Sequence, residues 1–247
     1  SDKEYNYSVG WIDPMATGKK LGKGVLTVGN GASLSDLPGK LKKDPLKLHS
    51  NKKINIPFFL PNFTLNNLTT RIANAGMDYI LGSGKPIAHY EKFFFPLDMF
   101  SNWNRGYGKR GFIQYQFVIP KENNTGHLHD ILSMIAGSGC TPFLNVFKTM
   151  GKGQGLLSFP FEGYTLAIDF PMSDKLKAFI PKLDQKVLDA KGRIYLGKDA
   201  MLDKHTFSAM YPQAEEWLKI KTKYDPDNFF SSNISRRLGL EASTRQR

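Results

Sequence analysis

Two stretches of this chain alternate apolar and polar side chains with a period of two. From Phe112 to Ile119, Ile113, Tyr115, Phe117 and Ile119 fall on one side, and Gln114 and Gln116 on the other. From Tyr164 to Phe170, Tyr164, Leu166, Ile168 and Phe170 oppose Thr165, Ala167 and Asp169. Only an extended strand puts alternate residues on opposite faces, so both stretches predict strands with one face toward a core. A third, Phe143 to Lys148, sets Leu144, Val146 and Lys148 against Phe143, Asn145 and Phe147. Each strand therefore has a face bearing hydrogen-bonding or charged groups. A solvated side of an antiparallel sheet accounts for this, and so does the wall of a polar pocket. From composition alone the solvated side is the simpler reading.

Around these strands the pattern predicts the other elements. Tyr5, Tyr7, Val9 and Trp11 alternate as a first strand, and Val25 to Val28 as a second. A helix is predicted with Thr64 as its N-cap, Leu65, Leu68 and Ile72 as its stripe and Gly76 as its stop. Leu128, Ile131, Leu132 and Ile135 form a second stripe, closed by Gly137. Ser173 opens a third helix carrying Leu176, Phe179, Ile180, Leu183 and Val187, with Pro181 inside it as a source of a kink. Arg193 to Gly197 reads as a short strand, followed by helices around Thr206–Met210 and Gln213–Lys223 and a loose polar tail from Glu241. The expected fold class is α+β: an antiparallel sheet with helices packed on one side.

Composition excludes several classes. The 247 residues are ample for a packed core, and 13% aromatic content argues against disorder. A single cysteine excludes a disulfide framework and a cysteine-built metal site. His127 and His129 sit two apart at a helix start and diverge, so no metal site is expected. No apolar run reaches transmembrane length, and Gly151–Gly155 lacks phosphate-loop spacing and reads as a hairpin or lid loop. The net charge of +12 is uneven: between Lys19 and Lys53 lie nine Lys opposed only by Asp36 and Asp44. That segment reads first as a solvated loop, next as an attractor of lipid phosphate. It offers no Arg forks or stacking aromatics for nucleic acid, and none is expected as a partner. Lys198, at the end of the Arg193–Gly197 strand beside Tyr195, is placed to be held in a cavity. There desolvation would tune its charge; taken alone, it reads first as an ordinary surface lysine.

Several stretches together resemble one family. They are Tyr7–Asp13 with Gly22–Leu26, Phe112–Pro120, Leu157–Pro160 followed by Asp169–Pro171, Tyr195–Asp199, Ala209–Pro212, and Asp225-Pro226 leading to Ser235–Leu238. In this order they are similar to the C-terminal, substrate-binding part of decaprenylphosphoryl-β-D-ribose oxidase-like flavoproteins, in the vanillyl-alcohol oxidase superfamily of FAD-linked oxidases. The resemblance runs from about Tyr5 to Leu240.

The resemblance implies a substrate-binding cap over residues 1–194 and a C-terminal segment, 195–247, that would complete an FAD-binding domain. It implies FAD as the cofactor of the full-length protein, held by an N-terminal FAD-binding domain that this chain lacks, so the chain alone is expected neither to retain FAD nor to turn over. Lys198 is the implied catalytic residue, close to the cofactor with Tyr195. Gln114, Gln116 and Lys148 are implied around the substrate, with Trp11, Leu97, Leu144, Val146, Thr165 and Ala167 as walls. The implied substrate is a sugar or polyprenyl-phosphate sugar, oxidised at a secondary alcohol by hydride transfer to flavin. An epimerase-partner reductase is an implied partner, and the implied location is cytoplasmic, peripheral at the membrane. With the family in view, the polar strand faces read as a pocket. Some relatives carry Cys where Ala167 stands, and Tyr near Phe94, which bears on which sugar fits. The C-terminal His-Trp signature of aldonolactone oxidases is absent, so lactone oxidation stands behind sugar oxidation. A non-catalytic binding domain for an anionic lipid or sugar phosphate is the competing reading.

Overall fold

The computed structural model describes residues 4–47, 53–82, 87–122 and 125–242; of these, the side chains of 78–82 and 96–97 lie outside the description. The two alternating stretches become the centre of a six-stranded sheet. Strand β1 spans Tyr7–Ile12, β2 Gly24–Gly29, and the short helix α1 Gly39–Lys42. A two-residue strand β3, Ile54–Asn55, precedes α2, Asn67–Gly82, and α3, Tyr90–Phe94; β4 is Phe100–Ser101. Then follow β5 (Phe112–Pro120), α4 (Thr125–Gly137), β6 (Asn145–Met150), β7 (Gly163–Pro171) and α5 (Asp174–Asp189). The chain finishes with β8 (Arg193–Ile194), α6 (Lys204–Met210), α7 (Ala214–Tyr224) and α8 (Asn233–Leu238).

The sheet runs β2-β1-β6-β7-β5-β8, every pair antiparallel, while β3 and β4 form a separate parallel pair. The longest ladder joins β5 to β7 over nine residue pairs, including Gln114 opposite Asp169, Gln116 opposite Ala167 and Val118 opposite Thr165. Next to it, Val146 faces Ala167 and Lys148 faces Thr165. In an antiparallel ladder, opposed residues share a face. The register therefore gathers the polar or small side chains of three strands on one side, and the apolar ones on the other.

The apolar side is the core. Ile113, Tyr115, Phe117 and Ile119 of β5 and Leu166, Ile168 and Phe170 of β7 pack against α4 (Ile131, Leu132, Ile135) and α5 (Leu176, Phe179, Ile180, Leu183, Val187). The α5 stripe faces inward because Ser173 caps the helix, accepting from Leu176 N at 3.1 Å, and so sets its phase. The helix runs unbroken through Pro181. Phe207, Met210, Tyr211 and Leu238 of the C-terminal helices enter the same core, so residues after 194 share it with the sheet. The α+β class with helices on one side holds. At the sheet's thin side, β1 comes close to β6: a Cβ at Gly10 would lie 2.6 Å from Phe147 O, which only glycine avoids.

Several boundaries differ from the sequence expectation. Helix α2 begins at Asn67, not after Thr64, because Asn66 Oδ1 accepts from Leu68 N and Thr69 N at 2.9 and 3.1 Å. It passes through Gly76 to Gly82, since one glycine weakens a helix without ending it. Helix α8 was not anticipated: six residues are too short for a period to show, and its Ser232/Ser235 capping box is visible only in space. The start of the tail is ordered, with Ala242 buried and bonded through its N and O to Asn228.

Candidate functional site

The polar face of the sheet carries two adjoining clefts that share Lys198. One, of about 420 Å³, is lined by Gln116, Lys148, Ser158, Phe159, Tyr195 and Lys198 among others. The other, of about 440 Å³, is lined by Trp103, Gln114, Leu144, Val146, Ala167, Asp169 and Lys198 among others. The structure thus brings Gln114, Gln116, Lys148, Lys198, Leu144, Val146, Ala167 and Tyr195 onto one surface. Trp11 is buried in β1, and Thr165 is buried beneath Gln116; neither is among the residues lining these two clefts. Leu97 lies in a 3-10 turn, Pro96–Met99, and its side chain is outside the described residues.

The two glutamines are held, not loose. Gln116 Nε2 donates to Thr165 Oγ1 at 3.0 Å, and that hydroxyl donates on to Phe117 O at 2.8 Å. Gln114 Nε2 donates to Asp169 Oδ1 at 2.8 Å. Both amides are oriented by cross-strand partners, so their presentation to the clefts is fixed by the β5–β7 register.

Sequence reasoning missed the groups beneath Lys198. Asp169 is 2% exposed and accepts both from Gln114 and from Tyr107 Oη, the latter at 2.9 Å. Burial pushes its carboxyl above the ordinary range, opposed by the bonds from Tyr107 and Gln114 and by the charge of Lys198. Burial, and then the Asp169 carboxyl beside it, push the Tyr107 phenol well above the ordinary tyrosine range and hold it protonated. Lys198 is half-buried; desolvation pulls its ammonium below the usual lysine range, Asp169 opposes this, and Lys148 adds to it. Asp169 was legible on the polar face of its strand. Tyr107 and Trp103 come from the irregular Trp103–Tyr107 turn, where no periodicity points to a site.

Lys198 is positioned from both sides. Tyr195 N donates to Gln116 O at 2.8 Å, extending β8 by one residue, and Lys198 N turns back onto Tyr195 O at 3.0 Å. Asp199 then locks the turn. Its Oδ1 accepts from Met201 N and Leu202 N at 2.9 and 2.8 Å, and its Oδ2 from Arg237 Nη2 of α8 at 2.7 Å. A residue near the end of the chain thereby fixes the segment that carries Lys198.

Among the described residues no cluster of His, Cys, Asp or Glu could hold a metal ion, and no helix is long and apolar enough to cross a membrane. What the surface offers is two ammonium groups, oriented amides, and open apolar walls at Val146 and Tyr195. Such a set can hold hydroxyls and an anion against a flat partner.

Comparison with known proteins agrees in extent with the motif resemblance. The chain is 41% identical over 97% of its length to decaprenylphosphoryl-β-D-ribose oxidase of Mycolicibacterium smegmatis, of which it covers 52%. It is 27% identical, over 97% of its length, to a Streptomyces coelicolor protein described as an uncharacterized protein in the mprA 5′ region, covering 67% of that protein. The chain spans about half the length of the first of these relatives. The family model for D-arabinono-1,4-lactone oxidase matches residues 111–238, which take in β5, Lys198 and Arg237. Matching more than half of the chain, it shows that this protein belongs to the D-arabinono-1,4-lactone oxidase family.

Proposed function

We propose that this chain is the substrate-binding portion of an FAD-dependent oxidoreductase that oxidises a secondary alcohol of a sugar, with a polyprenylphosphoryl pentose as the substrate class. The single observation that carries this reading is the convergence of Gln114, Gln116, Lys148 and Lys198 on one face. The similarity to an oxidase of decaprenylphosphoryl ribose supports the substrate class. In this reading residues 1–194 form the cap, 195–247 join an FAD domain, and the flavin-binding half comes from sequence outside this chain. Two exposed phenylalanines, 229 and 230, support such a junction: Asp225 fixes their loop, accepting from Phe229 N at 2.7 Å and from Phe230 N at 3.0 Å.

The site residues fit the edge of a flavin ring but not its pyrophosphate. The polar face is open at its two clefts, carries a cation at Lys198, and places the small Ala167 among the lining residues, leaving room for a planar ring system. When bound, the flavin supplies the hydride acceptor. The chain's own residues do the rest. Gln114 and Gln116 orient the sugar hydroxyls, because their amides are already aligned by Asp169 and Thr165. Lys148 meets the phosphate. Lys198, half out of water, places positive charge where negative charge develops on oxygen. Asp169 beneath it keeps that charge in place, and Tyr107 holds Asp169. An epimerase-partner reductase acting on the resulting ketone fits this chemistry.

The test is to supply the flavin-binding half by co-expression and follow the flavin absorbance when candidate glycosyl lipids are added. Bleaching by a polyprenylphosphoryl pentose, and not by an aldonolactone, is expected. Bleaching by the lactone alone would replace this reading with lactone oxidation. A flavin that binds yet is bleached by neither would favour the non-catalytic reading, an anionic-lipid or sugar-phosphate binder.

A further inference from the structure

Strands β6 and β7 stay paired as far as Met150 opposite Gly163, an ending that a tight hairpin turn would close. Residues 151–162 instead leave the sheet as a longer connection. Its outgoing arm, residues 151–155, is exposed throughout; this is the glycine-rich stretch whose spacing fails as a phosphate loop. The chain turns at Gly155, where φ is +98° and the carbonyl accepts from Ser158 N at 3.2 Å. A Cβ at Gly153 would collide with Pro160 O, so the two arms lie against each other. The return arm, residues 157–161, is drawn in. Phe159 is 5% exposed, yet it stands outside the main core.

What draws this arm in is β8. That strand lies two places beyond β7 in the sheet, so the arm passes β5 to reach it. Arg193 stands opposite Val118, and opposed residues share a face, so its side chain rises on the polar face with Gln114 and Gln116. There Arg193 Nη1 donates to Ser158 O at 2.8 Å. The guanidinium also lies 4.8 Å from the centre of the Phe161 ring and 5.1 Å from that of Tyr211. Tyr211 is buried and tied to the same strand, its Oη donating to Ile194 O at 2.6 Å. Beside them the rings of Phe159 and Tyr195 meet, their centres 4.8 Å apart. No carboxylate among the described residues bears on the charge of Arg193. A carbonyl and two aromatic rings hold it, a setting that suits a planar, weakly hydrated guanidinium and that a lysine fills poorly.

The consequence falls on the cleft of about 420 Å³. Residues 157–160 of the arm line it, and so do Tyr195 and Lys198, which follow Arg193 along the chain. Arg193 is not among the residues lining either cleft, but it ties one part of this lining to the other. We propose that Arg193 is a positioning residue for the substrate: by fastening the 157–161 arm to β8 it sets the width of the cleft around Gln116, Lys148 and Lys198. It thereby governs how tightly the sugar phosphate is held and which sugar fits. The identity of the ligand rests on the oxidase reading; the fastening of the arm does not. Lys198 has its own support from Asp199 and Arg237, so loss of Arg193 should cost binding more than chemistry.

The test uses the full-length, flavin-loaded protein carrying Arg193→Met or Arg193→Lys. In Arg193→Met, amide exchange at residues 157–161 should quicken at least about tenfold, the worth of a hydrogen bond to a charged group, while β5 and β7 exchange as in the parent. With a polyprenylphosphoryl pentose, KM should rise about tenfold and kcat stay within about twofold, the pattern of lost ground-state binding. The preference for the pentose over the corresponding hexose, read as a ratio of kcat/KM, should narrow. Arg193→Lys keeps a donor for Ser158 O but not the stacking, and should fall between the parent and Arg193→Met. Exchange at 157–161 as slow as in the parent would overturn the fastening. A loosened arm with the parent's KM and sugar preference would overturn its part in the cleft. A fall in kcat as large as the rise in KM, with faster exchange throughout β5 and β7, would make Arg193 a staple of the fold and nothing more. If the parent oxidised neither sugar, the oxidase reading would fall and the substrate half of this proposal with it. Exchange at 157–161 needs no turnover and would still decide whether Arg193 holds the arm.

Discussion

Helices α5 and α2 are each sixteen residues long and each carries branched apolar residues at helical spacing, yet they face opposite ways. In α5, Leu176, Ile180, Leu183 and Val187 are all buried against β5 and β7. In α2, Leu68 and Ile72 point to solvent while Thr70 and Asn74 point inward. Periodicity announces a stripe in both cases; it does not say what will cover it. For α5 the cover is the apolar face of the sheet, created by the alternation in β5 and β7. For α2 nothing among the described residues covers the stripe, and the helix is held through its polar side instead.

This contrast is sharpest in core truncations. Leu183→Ala should cost about 3 kcal/mol, from lost burial and a residual cavity, whereas Leu68→Ala should stay within about 0.5 kcal/mol. Urea unfolding of the two variants measures both. Comparable losses would show that α2 is packed in a way its exposure denies.

A smaller effect separates the inward polar groups of the two helices. Asp184 of α5 accepts from Tyr115 Oη at 2.7 Å in the core; burial, with the charges of Asp199 and Asp203 adding to it, raises its carboxyl to about 7 against the bond from Tyr115 and the charge of Arg237. The native state then holds a proton that the unfolded chain has released. This contribution to stability is fully present below about pH 4 and is lost as pH rises through about 7. Between pH 5 and pH 8 it amounts to about 2.5 kcal/mol, and Asp184→Asn should flatten the slope while keeping an acceptor for Tyr115. Asn74, the inward polar group of α2, has no such proton, so Asn74→Ala should leave the slope as it is. A slope unchanged by Asp184→Asn would mean that the carboxyl is ionised in the fold.

The smallest shift concerns the far end of the α5 side of the molecule. Arg237→Ala removes the charged partner of Asp199, whose side chain is only 5% exposed, and should cost about 1 kcal/mol, given that the guanidinium is 30% exposed. It should also loosen the Lys198 turn, read as faster amide exchange at Met201 and Leu202. Exchange as slow as in the parent would place the control of that turn elsewhere.

The legibility of the sequence follows the same division. The polar face was readable wherever one strand's alternation sufficed, which covers Gln114, Gln116, Lys148, Thr165, Ala167 and Asp169. What alternation cannot supply is register, and it is the Gln114–Asp169 and Lys148–Thr165 pairings that turn three polar faces into one surface. Tyr107 and Trp103 reach the site from an irregular turn, and Arg237 acts across 38 residues of chain; neither leaves a local periodic trace. The outward sense of α2 was illegible because an amphipathic stripe looks the same whether it is covered or bare.

In the proposed reaction Lys198 supplies charge to the reacting sugar. The most direct test is single-turnover flavin reduction by a polyprenylphosphoryl pentose in the full-length protein carrying Lys198→Ala. With flavin content and melting temperature unchanged, the rate should fall about a hundredfold, the typical loss of a preorganised electrostatic partner. A rate equal to that of the parent protein would contradict it.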